Sequence, residues 1–373
     1  MKSICFVTTG DIKRIATSKR ALGMANNLSD LGWKVYIIME DTSENRHRVN
    51  LECDGRTEVF YFQASSAYVE RKEKERLLAR IKPDYVYICA FVFRNMVYPT
   101  HRCVRLVEHS ELCSAICNRS MKRRITDFLL EYYSMVYADG VLNASDYLQK
   151  TYQRRIRYIP FKKNTAMLYL PYAYNQPPAR ISETELSEIT GMHKAMTIFV
   201  YLGTVTSNYG IFTIIEAAKR LKEKRTDFCV VILGHGRDYT EAVKTVEFEK
   251  LQEHVRFYGF IEEERIHSFF STASAFISPM NNTVQDWARC PSKIYMYLPY
   301  GKPIITCRIG EPLQIFGDKG MYYQPGDSRG MMEQMMKVVC GTAKCLSVDA
   351  SKHTWETRSR IFDKWIKNHY DNV

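Results

Sequence analysis

The chain has 373 residues, 46% of them hydrophobic and 25% charged, with a formal net charge of +12. That composition excludes a disordered or fibrous protein, and the length exceeds what one hydrophobic core ordinarily serves, so two domains are expected. No apolar run is long enough to span a bilayer, and the opening "MKSICFVTTGDIKR" turns polar within a few residues, so it reads as a first strand and not as a signal peptide.

After that strand, "TSKRALGMANNLSDLGW" carries Ala21, Met24, Ala25 and Leu28 at helical spacing behind a Thr17 or Ser18 cap. "KVYIIME", "EVFYF", "YVYICA", "RLVEHS" and "GVLNAS" follow as short strands, apolar on both parities as parallel strands covered on both faces should be. Charged helical stretches over 69–81 and 118–137 separate several of them. The composition turns to Pro, Ser, Thr and Glu over 174–191, which reads as a linker. The alternation then restarts with strand "TIFVYLG" and helix "IFTIIEAAKRL", whose Ile211, Ile214, Ile215, Ala218 and Leu221 share one face. "FCVVILG", "VRFYGF" and "SAFISP" are further strands, and "CPSKIYMYLPYG" is a helix leading into the strand "KPIIT". A terminal amphipathic helix, "TWETRSRIFDKWIKNHY", closes the chain. The pattern predicts α/β architecture: two doubly wound parallel-sheet domains, 1–178 and 179–373, the terminal helix free to cross back. Ligands of such sheets bind at the carboxyl ends of the strands.

The 11 cysteines are scattered, odd in number and without a C-x-x-C pair, which argues against zinc and for a reduced, cytosolic setting. Cys113 and Cys117 stand one helical turn apart and read as incidental thiols. The charge is uneven: residues 1–175 hold 28 of the 53 Lys and Arg and 18 of the 41 acids, so +10 of the formal +12 sits there. It clusters in "NRSMKRR" and "QRRIRYIPFKK", a basic face suited to an anionic partner such as a membrane surface. No nucleic-acid recognition motif accompanies it.

"YLGTVTSNYGIFTIIEAAKRL", "CVVILGHG", "VRFYGFIEEERIHSFFSTASAFISP", "CPSKIYMYLPYGKPIIT" and "GMYYQPGD" stand in an order and spacing that resembles the nucleotide-sugar domain of family 4 glycosyltransferases. The resemblance covers about 197–327 closely and is looser in the first half, through "YYSMVYADGVLNASDYLQKTY". It implies the GT-B fold, with two Rossmann-like domains facing across a cleft. It also implies retaining transfer of a hexose or N-acetylhexosamine from a UDP- or GDP-sugar to a glycan or lipid-linked acceptor. The natural setting is surface polysaccharide synthesis at the cytoplasmic face of a membrane, with no bound metal and no cofactor beyond the nucleotide-sugar donor.

Particular residues follow from the motifs. Pro291 suits a first helical position and Gly301 a stop. The first turn, with Ser292, Lys293 and nearby Arg289, makes an anion site for a diphosphate. The resemblance implies that Gly203, Thr204, Tyr209 and Gly234 line the donor side and that "GHGRD" rims the base. Met296 stands where the resembling family usually has a ribose-binding glutamate, and Thr204 and Tyr209 where it commonly has an arginine and a lysine. These three departures support an alternative: a non-catalytic binding subunit with a degenerate donor site. His109 in "LVEHSEL" falls at a strand end, where the family often has a histidine near the sugar-phosphate linkage. It is the catalytic candidate, with Glu108 or Glu111 to orient its ring. Gly10 and Asp11 are assigned to the acceptor side.

Overall fold

The computed structural model describes residues 1–12, 18–63, 65–175, 177, 189, 196–344 and 348–370. The expected boundary at 178/179 and most of the linker lie outside those residues, as does Thr17. The chain divides into two compact units: Met1–Asn175 with Ala288–Cys290 and Ser351–Val373, and Gln176–Trp287 with Pro291–Ala350.

The first unit is built on seven parallel strands: β1 (Ser3–Val7), β2 (Lys34–Glu40), β3 (Glu58–Phe62), β4 (Tyr85–Ile88), β5 (Val104–His109), β6 (Gly140–Asn143) and β7 (Ala166–Tyr169). Their order is β3-β2-β1-β4-β5-β6-β7, so the winding reverses between β1 and β4. Cys5 of β1 pairs with Tyr36 on one side and Val86 on the other. β1, β4 and β6 are buried along their whole length, or nearly so, as the two-sided apolar runs require. β7 was not legible as a strand: every residue of this edge strand is half-buried, so no apolar run marks it. The terminal helix Trp355–His369 packs in this unit. It lies so close to the helix Ser18–Asp30 that a Cβ on Gly23 would meet the Trp355 ring at 2.4 Å. Trp33 donates through Nε1 to Asp363 at 2.9 Å, and the Tyr370 hydroxyl donates to the Asp139 carbonyl at 2.9 Å.

The second unit has six parallel strands: β8 (Thr197–Leu202), β9 (Phe228–Leu233), β10 (Val255–Gly259), β11 (Ala275–Ser278), β12 (Ile304–Cys307) and β13 (Met321–Tyr323). The order β10-β9-β8-β11-β12-β13 reverses between β8 and β11. Its core joins the predicted face of the helix Ile211–Lys222 to Phe199, Val230 and Ile277 of the sheet. Both units are thus doubly wound, and each has a crevice at the carboxyl ends of its strands where the winding reverses.

Candidate functional site

In the second unit the crevice is walled by the loops after β8, β9 and β11. Gly203 follows β8 at φ +147, a backbone conformation that L side chains rarely adopt. A Cβ there would come within 2.7 Å of Nζ of Lys293. Gly234 follows β9 at φ +133, and a Cβ on it would overlap the Gly203 carbonyl oxygen at 2.1 Å. These two glycines let the loops close on each other and let a cation approach the backbone. Across the crevice, Asn281 after β11 donates from Nδ2 to the Asn208 carbonyl at 2.9 Å and ties the β8 and β11 loops together.

Lys293 reaches this place from the helix Ser292–Tyr297. Its ammonium lies 4.0 Å from the Tyr201 ring centroid and 5.9 Å from that of Tyr209. The Tyr201 hydroxyl in turn donates to the Thr204 carbonyl at 2.9 Å. The helix is seated by its buried side: Tyr297 Oη accepts the Leu202 amide at 2.9 Å, and Tyr295 Oη donates to Glu311 Oε2 at 3.0 Å. Ser292 and Met296, one turn apart, are both half-buried, as the shared face predicts. Past β9, exposed His235 of "GHGRD" stacks on Tyr239, the residue that follows the motif, with centroids 4.4 Å apart, making an aromatic ledge.

Two details of this helix differ from expectation. Pro291 is the N-cap residue and Ser292 the first helical one, because ψ 94 at Pro291 is extended. The helix has six residues and ends through a 3-10 turn at Gly301, φ +61. The Pro291 carbonyl already takes the Ile294 amide at 3.0 Å, so the positive character of the site rests on the Lys293 charge more than on free amides.

His109 closes β5 in the first unit and is 6% exposed. Its Nε2 lies 3.0 Å from the Ser134 hydroxyl and its Nδ1 3.0 Å from the Tyr152 hydroxyl, whose ring stacks on the imidazole at 4.0 Å. Burial, with the Arg155 charge adding to it, pushes its pKa down to about 3. The ring is therefore neutral at ordinary pH. The expectation that Glu108 or Glu111 orients it is corrected. Glu108 points to the sheet's other side, 2.9 Å from Nε of Arg20 and 3.1 Å from the Tyr87 hydroxyl. Burial raises the Glu111 carboxyl, and the opposing charges are Arg289 and Arg119. Alternation along a strand sends successive side chains to opposite faces, which separates Glu108 from His109.

Arg289 belongs to the first unit, while Ser292 and Lys293 belong to the second. Its segment is held there by the Ser145 hydroxyl on the Ala288 carbonyl at 2.6 Å and by the Tyr172 amide on Cys290 Sγ at 3.4 Å. At the end of β1, Gly10 takes φ +75 and accepts Asn45 Nδ2 at 3.1 Å, with half-buried Asp11 beside it. Behind them Glu70 binds Thr9 Oγ1 at 2.5 Å, Lys74 Nζ at 2.5 Å and Arg94 Nη1 at 2.6 Å. Burial lowers the Lys74 ammonium to about 8. Sequence reasoning missed this cluster and Arg20. The available signal was a charged residue on the apolar face of a helix, as Arg20 is in "RALGMA". No group of three or more His, Cys, Asp or Glu suited to a metal occurs among the described residues.

Residues 182–345 match the model of the family Glycosyl transferases group 1. The whole chain shares its fold with solved GT-B glycosyltransferases. HepE from Anabaena in complex with UDP and glucose has a TM-score of 0.74 at 11% identity, covering 99% of this chain and 100% of that one. Sucrose-phosphate synthase from Thermosynechococcus elongatus has a TM-score of 0.75 at 14% identity, covering 100% of both chains. TarM from S. aureus, in complex with fondaparinux, alpha-GlcNAc-glycerol and UDP, has a TM-score of 0.68 at 9% identity, covering 99% of this chain and 97% of that one. No curated protein matches the chain. The fold is GT-B, and the chain is a glycosyltransferase by the domain it carries over 182–345.

Proposed function

We propose that this chain is a retaining enzyme of the family 4 type. It moves a hexose or N-acetylhexosamine from a UDP- or GDP-sugar to a glycan or lipid-linked acceptor in surface polysaccharide synthesis. The observation that carries the reading is the Lys293 ammonium. It is held over Tyr201 and against the side-chain-free backbone of Gly203, at the carboxyl end of β8 where the winding reverses. A cation set on a rigid strand end suits a donor diphosphate, with Ser292 beside it and the His235–Tyr239 ledge within reach of a base. The HepE structure, which holds UDP and glucose, supports that choice of donor class.

In this reading His109 works as a neutral group. An imidazole with a pKa of about 3 does not deliver a proton as imidazolium at neutral pH; it contributes a directed hydrogen bond to the sugar or to the departing phosphate once the donor displaces the Ser134 or Tyr152 hydroxyl that now occupies its ring nitrogens. Gly10 and Asp11 stand on the acceptor side. Charge neutralisation by protein cations takes the place of a metal, and no cofactor other than the donor is called for. We place the enzyme in the cytoplasm, peripheral on the inner membrane face, where the basic first unit meets anionic lipid.

The test is a thermal-shift screen with UDP, GDP, CDP, ADP and dTDP, followed by assay of the matching sugar nucleotides with the product anomer read by NMR. A nucleotide at 100 times its Kd stabilises by about 2.7 kcal/mol. One nucleotide giving that shift and its sugar transferred with retention supports the reading. No shift with any of them, or an inverted anomer, overturns it.

A further inference from the structure

The helix Met121–Tyr137 buries Met135 and Tyr137 near its end but carries a long apolar stripe outward. Its buried residues include Asp127 and Glu131, 3% and 4% exposed, and fully buried Ser134. Its outward stripe is Met121, Ile125, Phe128, Leu129, Tyr133 and Val136, of which Met121 is 68%, Leu129 61% and Ile125 54% exposed. Those positions recur at the spacing that ordinarily marks a core-facing stripe, yet here they face away from the protein. The inversion is built in, because the inward polar groups have dedicated partners. Asp127 binds Arg119 and Arg123, and Glu131 takes the Ser114 amide at 2.8 Å and Arg155 Nη1 at 2.7 Å. Ser134 donates to the Glu131 carbonyl at 2.6 Å. Rotating the apolar stripe inward would strand two carboxylates.

We propose that this helix face is the surface by which the first unit docks on an anionic lipid bilayer, an inference that rests on the peripheral-membrane reading above and names its contact. Charge complementarity decides the occupant. Exposed Lys122, Arg123 and Arg124 stand at the N-terminal end of the stripe, and both acids of the helix are buried, so the outward face carries apolar groups and cations without an exposed carboxylate. A turn carrying exposed Arg157, Tyr158, Phe161 and Lys163 adjoins the other end, anchored by Lys162 Nζ on the Ala138 carbonyl at 2.7 Å. Apolar and aromatic side chains flanked by Lys and Arg are what the headgroup region of an acidic bilayer binds. The helix lies on the surface; no helix among the described residues is long and apolar enough to cross it.

The experiment compares the full chain with an Ile125→Ser, Leu129→Ser double variant in co-sedimentation with vesicles of phosphatidylcholine alone and of phosphatidylcholine mixed with phosphatidylglycerol. Melting temperature, nucleotide binding and sedimentation velocity are measured alongside. We expect the unaltered chain to bind the mixed vesicles, less as salt rises. The double variant should bind them about tenfold more weakly or worse, with melting temperature and nucleotide affinity unchanged. If the variant binds mixed vesicles as well as the unaltered chain does, this face is not the contact, although the membrane reading survives. Should the unaltered chain ignore mixed vesicles, both fall. Self-association abolished by the double variant, without vesicle binding, would assign the face to a second copy and overturn the proposal. Nucleotide binding tests the transferase reading separately in every case.

Discussion

Nζ of Lys293 lies 4.0 Å from the centroid of the Tyr201 ring, although 92 positions separate the two residues in the chain. The contact fixes a positive charge at the end of β8, where Gly203 leaves room for it. Lys293→Ala should weaken binding of the cognate nucleoside diphosphate roughly 10- to 150-fold, the worth of one charge-assisted hydrogen bond. It should affect the unphosphorylated nucleoside little. Calorimetry with both ligands checks this, and equal losses for the two would show that Lys293 does not read the phosphates.

Met296 shares the face of Ser292 and is half-buried, so a carboxylate placed there stands one turn from Ser292 without being fully buried. A thioether offers packing but no strong acceptor. Met296→Glu should tighten binding of the cognate nucleotide by roughly 10- to 150-fold if the new group takes the ribose hydroxyls. The variant's melting curve, run beside the titration, separates this from a packing role. A lower Tm with no gain in affinity would mean that Met296 only fills space.

His109 gives two measurable consequences. Its pKa is about 3 in the folded protein and 6.5 ordinarily, so below pH 6.5 the unfolded chain binds a proton that the folded one does not. Stability should therefore fall with pH in that range, with a contribution from this residue of about 1.4 kcal/mol per pH unit. His109→Gln should flatten the urea-unfolding profile below pH 6.5 relative to the unaltered chain. In transfer, His109→Ala should lower turnover roughly 100-fold with nucleotide affinity nearly kept, and the pH–rate profile should show no histidine limb between pH 5 and 8. Unchanged turnover would remove His109 from the mechanism.

Arg20 and Glu108 form a buried pair, 2.9 Å apart, with side-chain exposures of 0% and 1%. Breaking such a pair leaves an uncompensated charge. Glu108→Ala should cost about 3–5 kcal/mol in urea unfolding, whereas Arg20→Met with Glu108→Leu should cost much less. A single variant no worse than the double would show that the ion pair does not carry this energy.

The alternation of apolar runs and amphipathic stretches was enough to read two doubly wound parallel sheets. Periodicity and glycine punctuation are local properties, written within a dozen residues of each other. The same locality explains what was missed. The helix Ser43–Glu52 buries only Asn45 and Arg48, so it has no apolar period to detect. β13 is a three-residue edge strand. In the crevice of the second unit the sequence showed a glycine after a strand and a lysine at a helix start, but not that the lysine would lie against that glycine. Only the winding of the sheet, which brings β8 beside β11, decides that. The partners of His109 come from 25 and 43 positions away, and Trp33 finds Asp363 across 330. No local pattern encodes such pairings. Most telling is the helix Met121–Tyr137, whose period was legible while its orientation was not. An apolar stripe marks one side of a helix, but which side meets the sheet depends on whether the polar side finds its partners, and Arg119, Arg155, Ser114 and His109 are assembled there only by the fold.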